Sequence, residues 1–146
     1  MKFYNYINEL FDSDIKVYLD YFNKKFLTYR FDVDYKEFSV EIFKDKYNNY
    51  YDNIYIITFF DENEQEEITG LIKKDVFKVF SGIIKSIKDF IKKINPDYFQ
   101  FSAKEKSRIQ LYDKFIKLIE KETNYKLIKT EIHGDKNYIF KRKNNE

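Results

Sequence analysis

Few side chains in this sequence can do covalent chemistry. There is no cysteine, which excludes disulfides, thiolate metal ligands and a cysteine nucleophile. A single histidine, His133, excludes His-rich zinc sites and a two-histidine iron site. It falls at a predicted hairpin turn, where solvent exposure rather than catalysis is expected. Three glycines cannot build a glycine-rich phosphate cradle, and no Walker loop, G-x-G-x-x-G or G-x-S-x-G is present. Carboxylates do cluster, at Asp61, Glu62, Glu64, Glu66 and Glu67. Such a cluster can bind a hard cation, but the spacing lacks the alternating ligands and sixth-position glycine of an EF-hand. The segment reads as a solvated acidic loop, with no metal expected.

Lysines supply the other pattern. Lys74, Lys78, Lys85 and Lys92 recur at helical spacing, with Lys88 and Lys93 nearby. Set opposite an apolar stripe, they form a cationic line that can track a phosphate backbone, so nucleic-acid binding is one candidate function. Base recognition finds no support in arginine, since residues 68–146 hold only Arg108 and Arg142. Charge is unevenly divided. Residues 1–67 carry 8 basic and 15 acidic side chains, a net of −7, and residues 68–146 carry 19 and 10, a net of +9. The halves attract one another in a compact fold and hint at a charged partner. The ordinary reading of the same charge is a solvated surface.

The elements that must position these residues follow from hydrophobic periodicity. Phe3, Tyr4, Ile7, Leu10 and Phe11 predict a short first helix. Asp12-Ser13-Asp14 supplies a stop and a new cap. Ile15, Tyr18, Leu19 and Phe22 predict a second helix to about Lys25. The period then becomes two, giving strands at 26–33 and 37–43 with a turn near Asp32–Asp34. The apolar run 54–60 predicts a central strand covered on both faces. Residues 68–72 read as a short strand or the approach to a helix.

From Lys74 to Ile94 a helix is expected, its apolar face formed by Val76, Phe80, Ile83, Ile84, Ile87, Ile91 and Ile94. Asn95-Pro96-Asp97 ends it. A strand at 98–102 follows, then a helix starting at Ser102 or Ala103 and running over 104–123. Its inner face is Arg108 (stem only), Leu111, Tyr112, Phe115, Leu118 and Ile119. Strands at 125–132 and 137–141 are joined by a hairpin turn at His133–Lys136. The tail from Lys141 is expected to fray.

A chain of 146 residues with 43% apolar content predicts one packed α+β domain over 1–146. Its core is aromatic, drawing on 16 Phe and 14 Tyr. The tyrosine hydroxyls need partners, which places many of these rings at the core's edge. Abundant Lys, Asn, Ile, Tyr and Phe with little Pro, Gly and Ala is what AT-rich coding produces, in a low-GC bacterium or its phage. The first residues lack a signal-peptide apolar region, and no stretch approaches the ~20 apolar residues of a membrane span. A cytoplasmic location is expected, with no membrane partner.

Two resemblances add to this reading. The order of elements, closing helix-strand-helix-hairpin, resembles the GNAT (Gcn5-related N-acetyltransferase) fold, with a central mixed sheet flanked by helices. Ser107-Arg108-Ile109-Gln110-Leu111-Tyr112-Asp113-Lys114, then Asn124-Tyr125, look like that family's N-x-x-A-x-x-L-Y-x-K helix and following aromatic. Residues 76–127 are also similar to a group of small phage-encoded proteins of unknown role. The matching segments are Val79-Phe80-Ser81-Gly82-Ile83, Pro96 to Ala103 and Ser107 to Tyr112.

The GNAT resemblance implies a sheet that splays open around acetyl-CoA, with pyrophosphate on amides at the long helix's start. It implies Gly70, Lys73 and Lys74 as cofactor-binding residues and Tyr112 as the acid that protonates the leaving thiolate, a phenol's pKa of about 10 suiting that transfer. Tyr112 also lies on the apolar face with Leu111 and Phe115, where core packing explains it. The family's Q/R-x-x-G-x-G/A loop is reduced here to Gly70, behind five carboxylates.

Three functions therefore stand. The leading one is a phage or mobile-element protein whose degenerate GNAT-like scaffold binds another protein, such as a component of a host defence system, with no cofactor. The second is an acetyl-CoA-dependent N-acyltransferase. The third is a nucleic-acid binder using Lys74, Lys78, Lys85 and Lys92.

Overall fold

The computed structural model describes residues 15–61, 66–67, 76–103, 106–133 and 135–144. These form an α+β fold with a mostly antiparallel sheet and two helices. The elements are β1 (Val17–Asn23), β2 (Phe26–Val33), β3 (Lys36–Lys44), β4 (Ile54–Asp61), β5 (Glu66–Glu67), α1 (Val76–Ile94), β6 (Tyr98–Ala103), α2 (Lys106–Glu122), β7 (Tyr125–His133) and β8 (Asp135–Arg142). Strand order is β1-β2-β3-β4-β6-β8-β7, with β5 attached to β4. Every pairing is antiparallel except β4 with β6.

The first four strands form a meander, its first two connections tight turns and its third the longer segment 45–53. At the first turn the Asn23 side-chain oxygen accepts hydrogen bonds from the amides of Lys25 and Phe26, at 2.8 and 2.9 Å. An Asx turn of this kind substitutes for a backbone turn. The second turn places Asp34 and Tyr35 at φ 49° and 67°. Two successive positive φ values match the right-handed twist of the flanking strands. Past α1, Asn95 takes φ 52° and its amide bonds the Ile91 carbonyl at 2.8 Å. A left-handed cap followed by Pro96 is how a helix stops.

Both helices pack on one face of the sheet. The chain crosses in the same direction from β4 to β6 and from β6 to β7, so two right-handed connections put both helices on the same side. The core between them is a layer of rings. Phe80 of α1 stacks on Phe115 of α2 at 4.6 Å between centroids. Phe115 in turn meets Phe101 and Phe59 from the sheet, and Phe99 and Phe101 stack on Phe140.

The segment expected as a helix to about Lys25 holds strand β1 and the turn after it, and a β-bulge gave the strand its helix-like spacing. Register shifts between Leu19 and Tyr21 against β2. Positions 19 and 22 thereby share one face and 18 and 21 the other, a spacing of three that imitates a helical repeat. The acidic segment is also not wholly loop, because Asp61 ends β4 and Glu66–Glu67 pair with Phe60–Asp61. His133, Asp135 and Lys136 belong to paired strands rather than to a four-residue turn. The tail is held as far as Lys143, whose amide bonds the Asn124 carbonyl at 2.8 Å. The first expected helix, residues 68–72 and the Arg108, Leu111 and Tyr112 side chains lie outside the described residues. Phe115, Leu118 and Ile119 are buried as expected, and Val79 and Phe90 join the buried face of α1.

At Gly82, α1 passes directly over the Phe31 ring of β2. A Cβ there would lie 2.4 Å from Cε2 of Phe31, a ring that is itself fully buried. Gly82→Ala gains about 1 kcal/mol of helix propensity, but the ring has no room to retreat. Overpacking is expected to dominate and lower stability by about 1–3 kcal/mol, read as a drop in the urea midpoint.

A second prediction concerns Asp89. Burial pushes its carboxyl up, but hydrogen bonds from Lys93 and Tyr29 and the charges of Lys93 and Lys92 hold it below its usual value. The Tyr29 hydroxyl donates to it at 2.7 Å and Lys93 Nζ at 2.8 Å. A carboxyl depressed in the fold stabilises it above the unfolded pKa, near 3.9, and that stability is lost as pH falls through the lower folded value. Asp89→Asn is expected to flatten the loss of stability between about pH 5 and pH 2, measured by urea unfolding at each pH.

Candidate functional site

Three places on the fold could carry function. The first is the gap between the two parallel strands. β4 and β6 pair from Ile54 with Tyr98 to Ile57 with Phe101. β4 then runs on to Asp61 and β6 to Ala103, with no further pairing between them among the described residues. β3 occupies one side of β4 as far as Asp61, so β5 must lie on the side that β6 has left. The carboxyl ends of adjacent parallel strands are a common ligand position in open sheets. Beneath this parting the space is filled, with Phe59 and Phe101 at 6.2 Å between centroids and Phe115 against both.

The residues expected to serve a cofactor there are only partly placed. Gly70, Lys73 and Lys74 lie outside the described residues. Tyr112 falls in the second turn of α2, and its side chain is outside the described set. Nearby on β8, Tyr138 is buried, and its hydroxyl is pushed up to about 12 by burial and the Asp113 charge. It stays protonated at neutral pH.

The second place is a cavity of about 300 Å³ at the other end of the sheet, lined by Tyr50, Asp52, Asp97, Tyr98, Lys141 and Arg142. Two of its charges, Asp97 and Arg142, are spent on each other. Arg142 donates to the Asp97 carboxylate at 2.9 Å and to the Asn95 carbonyl at 3.0 Å. Asn53 Nδ2 donates to the other Asp97 oxygen at 3.4 Å. Beside this cluster Tyr125 donates to the Pro96 carbonyl, and burial pushes its hydroxyl up to about 12, with Arg142 opposing. The cluster ties the end of α1 and the start of β6 to the end of β8.

The third place is β1, at the edge of the sheet. Tyr18, Leu19, Tyr21 and Phe22 are 59%, 39%, 51% and 44% exposed. Four large apolar side chains within five positions are exposed on both faces of one edge strand. Sequence reading missed this surface because it assigned the segment to a helix. The concentration of Tyr, Leu and Phe was the signal that could have found it.

The lysines of α1 are partly engaged. Lys78 Nζ lies 3.5 Å from the Asp34 carboxylate. Lys85 is half-buried, and its Nζ donates to the Ile15 carbonyl at 2.8 Å. Lys92 is exposed and adds to the field on Asp89, while Lys74 lies outside the described residues. The line of cations is therefore interrupted at two of its positions by contacts within the fold.

No group of three or more His, Asp or Glu among the described residues is arranged to hold a metal ion. No helix among them is long and apolar enough to cross a membrane. No protein-family model matches the chain, and neither a curated protein nor a solved structure matches it.

Proposed function

We propose that this chain is a protein-binding module, with a GNAT-like scaffold and β1 as its contact strand. The observation that carries the reading is the exposure of Tyr18, Leu19, Tyr21 and Phe22 together on one edge strand. Edge strands offer unpaired amides and carbonyls to an incoming chain, and aromatic side chains supply most of the energy of an interface. The scaffold part of the reading draws on the helix-strand-helix-hairpin order and on the parting of parallel β4 and β6. The resemblance to small phage-encoded proteins is the motive for proposing a partner in a bacterial host, a defence protein.

The test is capture from host lysate by the tagged chain and by Tyr18→Lys and Phe22→Lys variants, each checked for native circular dichroism. A lysine on an edge strand deters pairing without touching the core. The wild type is expected to retain a defined protein that both variants lose by tenfold or more. Equal capture by all three would remove β1 as the contact.

The parting of β4 and β6 favours a second reading, an acetyl-CoA-dependent N-acyltransferase with amides near Gly70, Lys73 and Lys74 on the phosphates and Tyr112 as acid. On this reading calorimetric titration gives micromolar acetyl-CoA binding, and Tyr112→Phe lowers turnover about a hundredfold, as loss of a general acid does. An absence of heat at millimolar cofactor would discard it.

A further inference from the structure

We propose that two copies of this chain pair through β1, antiparallel, with Tyr18 on the two-fold axis. This rests on the reading of β1 as a contact strand, and names what occupies the strand when no other protein does. Charges on this segment alternate at four-residue spacing: Lys16 positive, Asp20 negative, Lys24 positive. A two-fold at Asp20 would set that carboxylate against its own copy and Lys16 against Lys24 of the partner subunit. Like charges directly opposite are destabilising. A two-fold at Tyr18 instead sets Lys16 against Asp20 of the partner subunit, and symmetry makes that pair twice. It also sets Val17 against Leu19 of the partner subunit and the two Tyr18 rings against each other.

The side chains that must meet share a face. Tyr18 is opposite Arg30 in the β1–β2 register, and Asp20 lies 3.2 Å from Arg30 Nε on the same side. Strand alternation puts Lys16 there as well. A two-fold at Phe22 would also match Asp20 with a lysine, but the turn at Lys24–Lys25 cuts that pairing short. The bulge and the Asp20 charge repel an indiscriminate strand, and a strand that brings a lysine to Asp20 escapes this defence. Self-pairing sets Tyr18 and Leu19 against the partner subunit and competes with any other protein for the strand.

The chain has no cysteine, so single-cysteine variants report unambiguously. Val33 and Lys36 close the second hairpin, and alternation from them turns the amide of Arg30 toward β1. Tyr18 therefore spends its own amide and carbonyl on β2 and meets its copy as a non-hydrogen-bonded pair. Cα atoms in such a pair are about 4.5 Å apart, within disulfide reach. Mild oxidation of Tyr18→Cys is expected to give a covalent dimer, and Phe22→Cys, treated identically, is not.

Light scattering of the unmodified chain is expected to show a dimer that dissociates on dilution. Lys16→Asp should weaken it about tenfold, and Lys16→Asp with Asp20→Lys should restore it. A monomer at every concentration up to about 1 mM overturns the proposal, as does equal cross-linking through Phe22→Cys. If the chain is monomeric while Tyr18→Lys still loses a captured host protein, the second-copy proposal falls and the contact-strand reading stands.

Discussion

One layer of aromatic rings, enclosed between one face of the sheet and two helices, is the constraint on which the rest of the structure depends. The two crossovers run the same way, so both helices must share that face, and everything between them must fit a single interlayer space. Phe31, Phe38, Phe99, Phe101, Phe115 and Phe140 are all fully buried. Rings of this size leave little slack, because interiors pack like molecular crystals rather than liquids. That is why α1 carries a glycine where it crosses Phe31, and why Ser81 and Ser86, small residues, are buried on either side of it. Ser86 returns its hydroxyl to the Gly82 carbonyl at 2.9 Å, so no polar group is stranded there.

Building that layer from tyrosine as well as phenylalanine brings a second requirement. A buried phenol must find an acceptor or lose the hydrogen bonds it made to water. Tyr29 gives its proton to Asp89, Tyr125 to the Pro96 carbonyl and Tyr55 to the Lys24 carbonyl. Each bond joins elements far apart in sequence, so the tyrosines act as cross-links as well as filling. Burial raises the pKa of all three, which keeps them as donors across the neutral range.

Much of this was legible in the sequence. Alternation located β2 and β3, the apolar run located β4, and the isoleucine and phenylalanine stripe with Asn95-Pro96 located α1 and its end. Those signals are local, and the fold obeys them. β1 was not legible, because a bulge turns a period of two into a spacing of three, and Ile15, Tyr18, Leu19 and Phe22 satisfy a helix equally well. The exposed apolar surface of β1 was hidden by the same ambiguity, since exposed apolar residues on an edge look in sequence like the buried face of a helix. The lysine series was visible, but its engagement was not. Contacts from Lys78 to Asp34 and from Lys85 to Ile15 join residues far apart in the chain.

An edge strand that leaves four large apolar side chains in water needs something other than their burial to hold it in place. The structure supplies that at its ends. At the β1–β2 turn, the Lys24 carbonyl accepts from buried Tyr55 at 2.6 Å, and the Lys25 carbonyl accepts from the Lys44 amide at 2.9 Å. Asn23 closes the same turn. Ahead of the strand, Lys85 reaches from α1 to the Ile15 carbonyl, and Ile15 and Val17 pack against the core. Pinned from both ends by side chains of the central elements, β1 keeps its pairing with β2 while the middle of the strand stays exposed. Tyr18, Leu19, Tyr21 and Phe22 thereby stay in place with much of their surface in water, while Asp20 is tied back to Arg30.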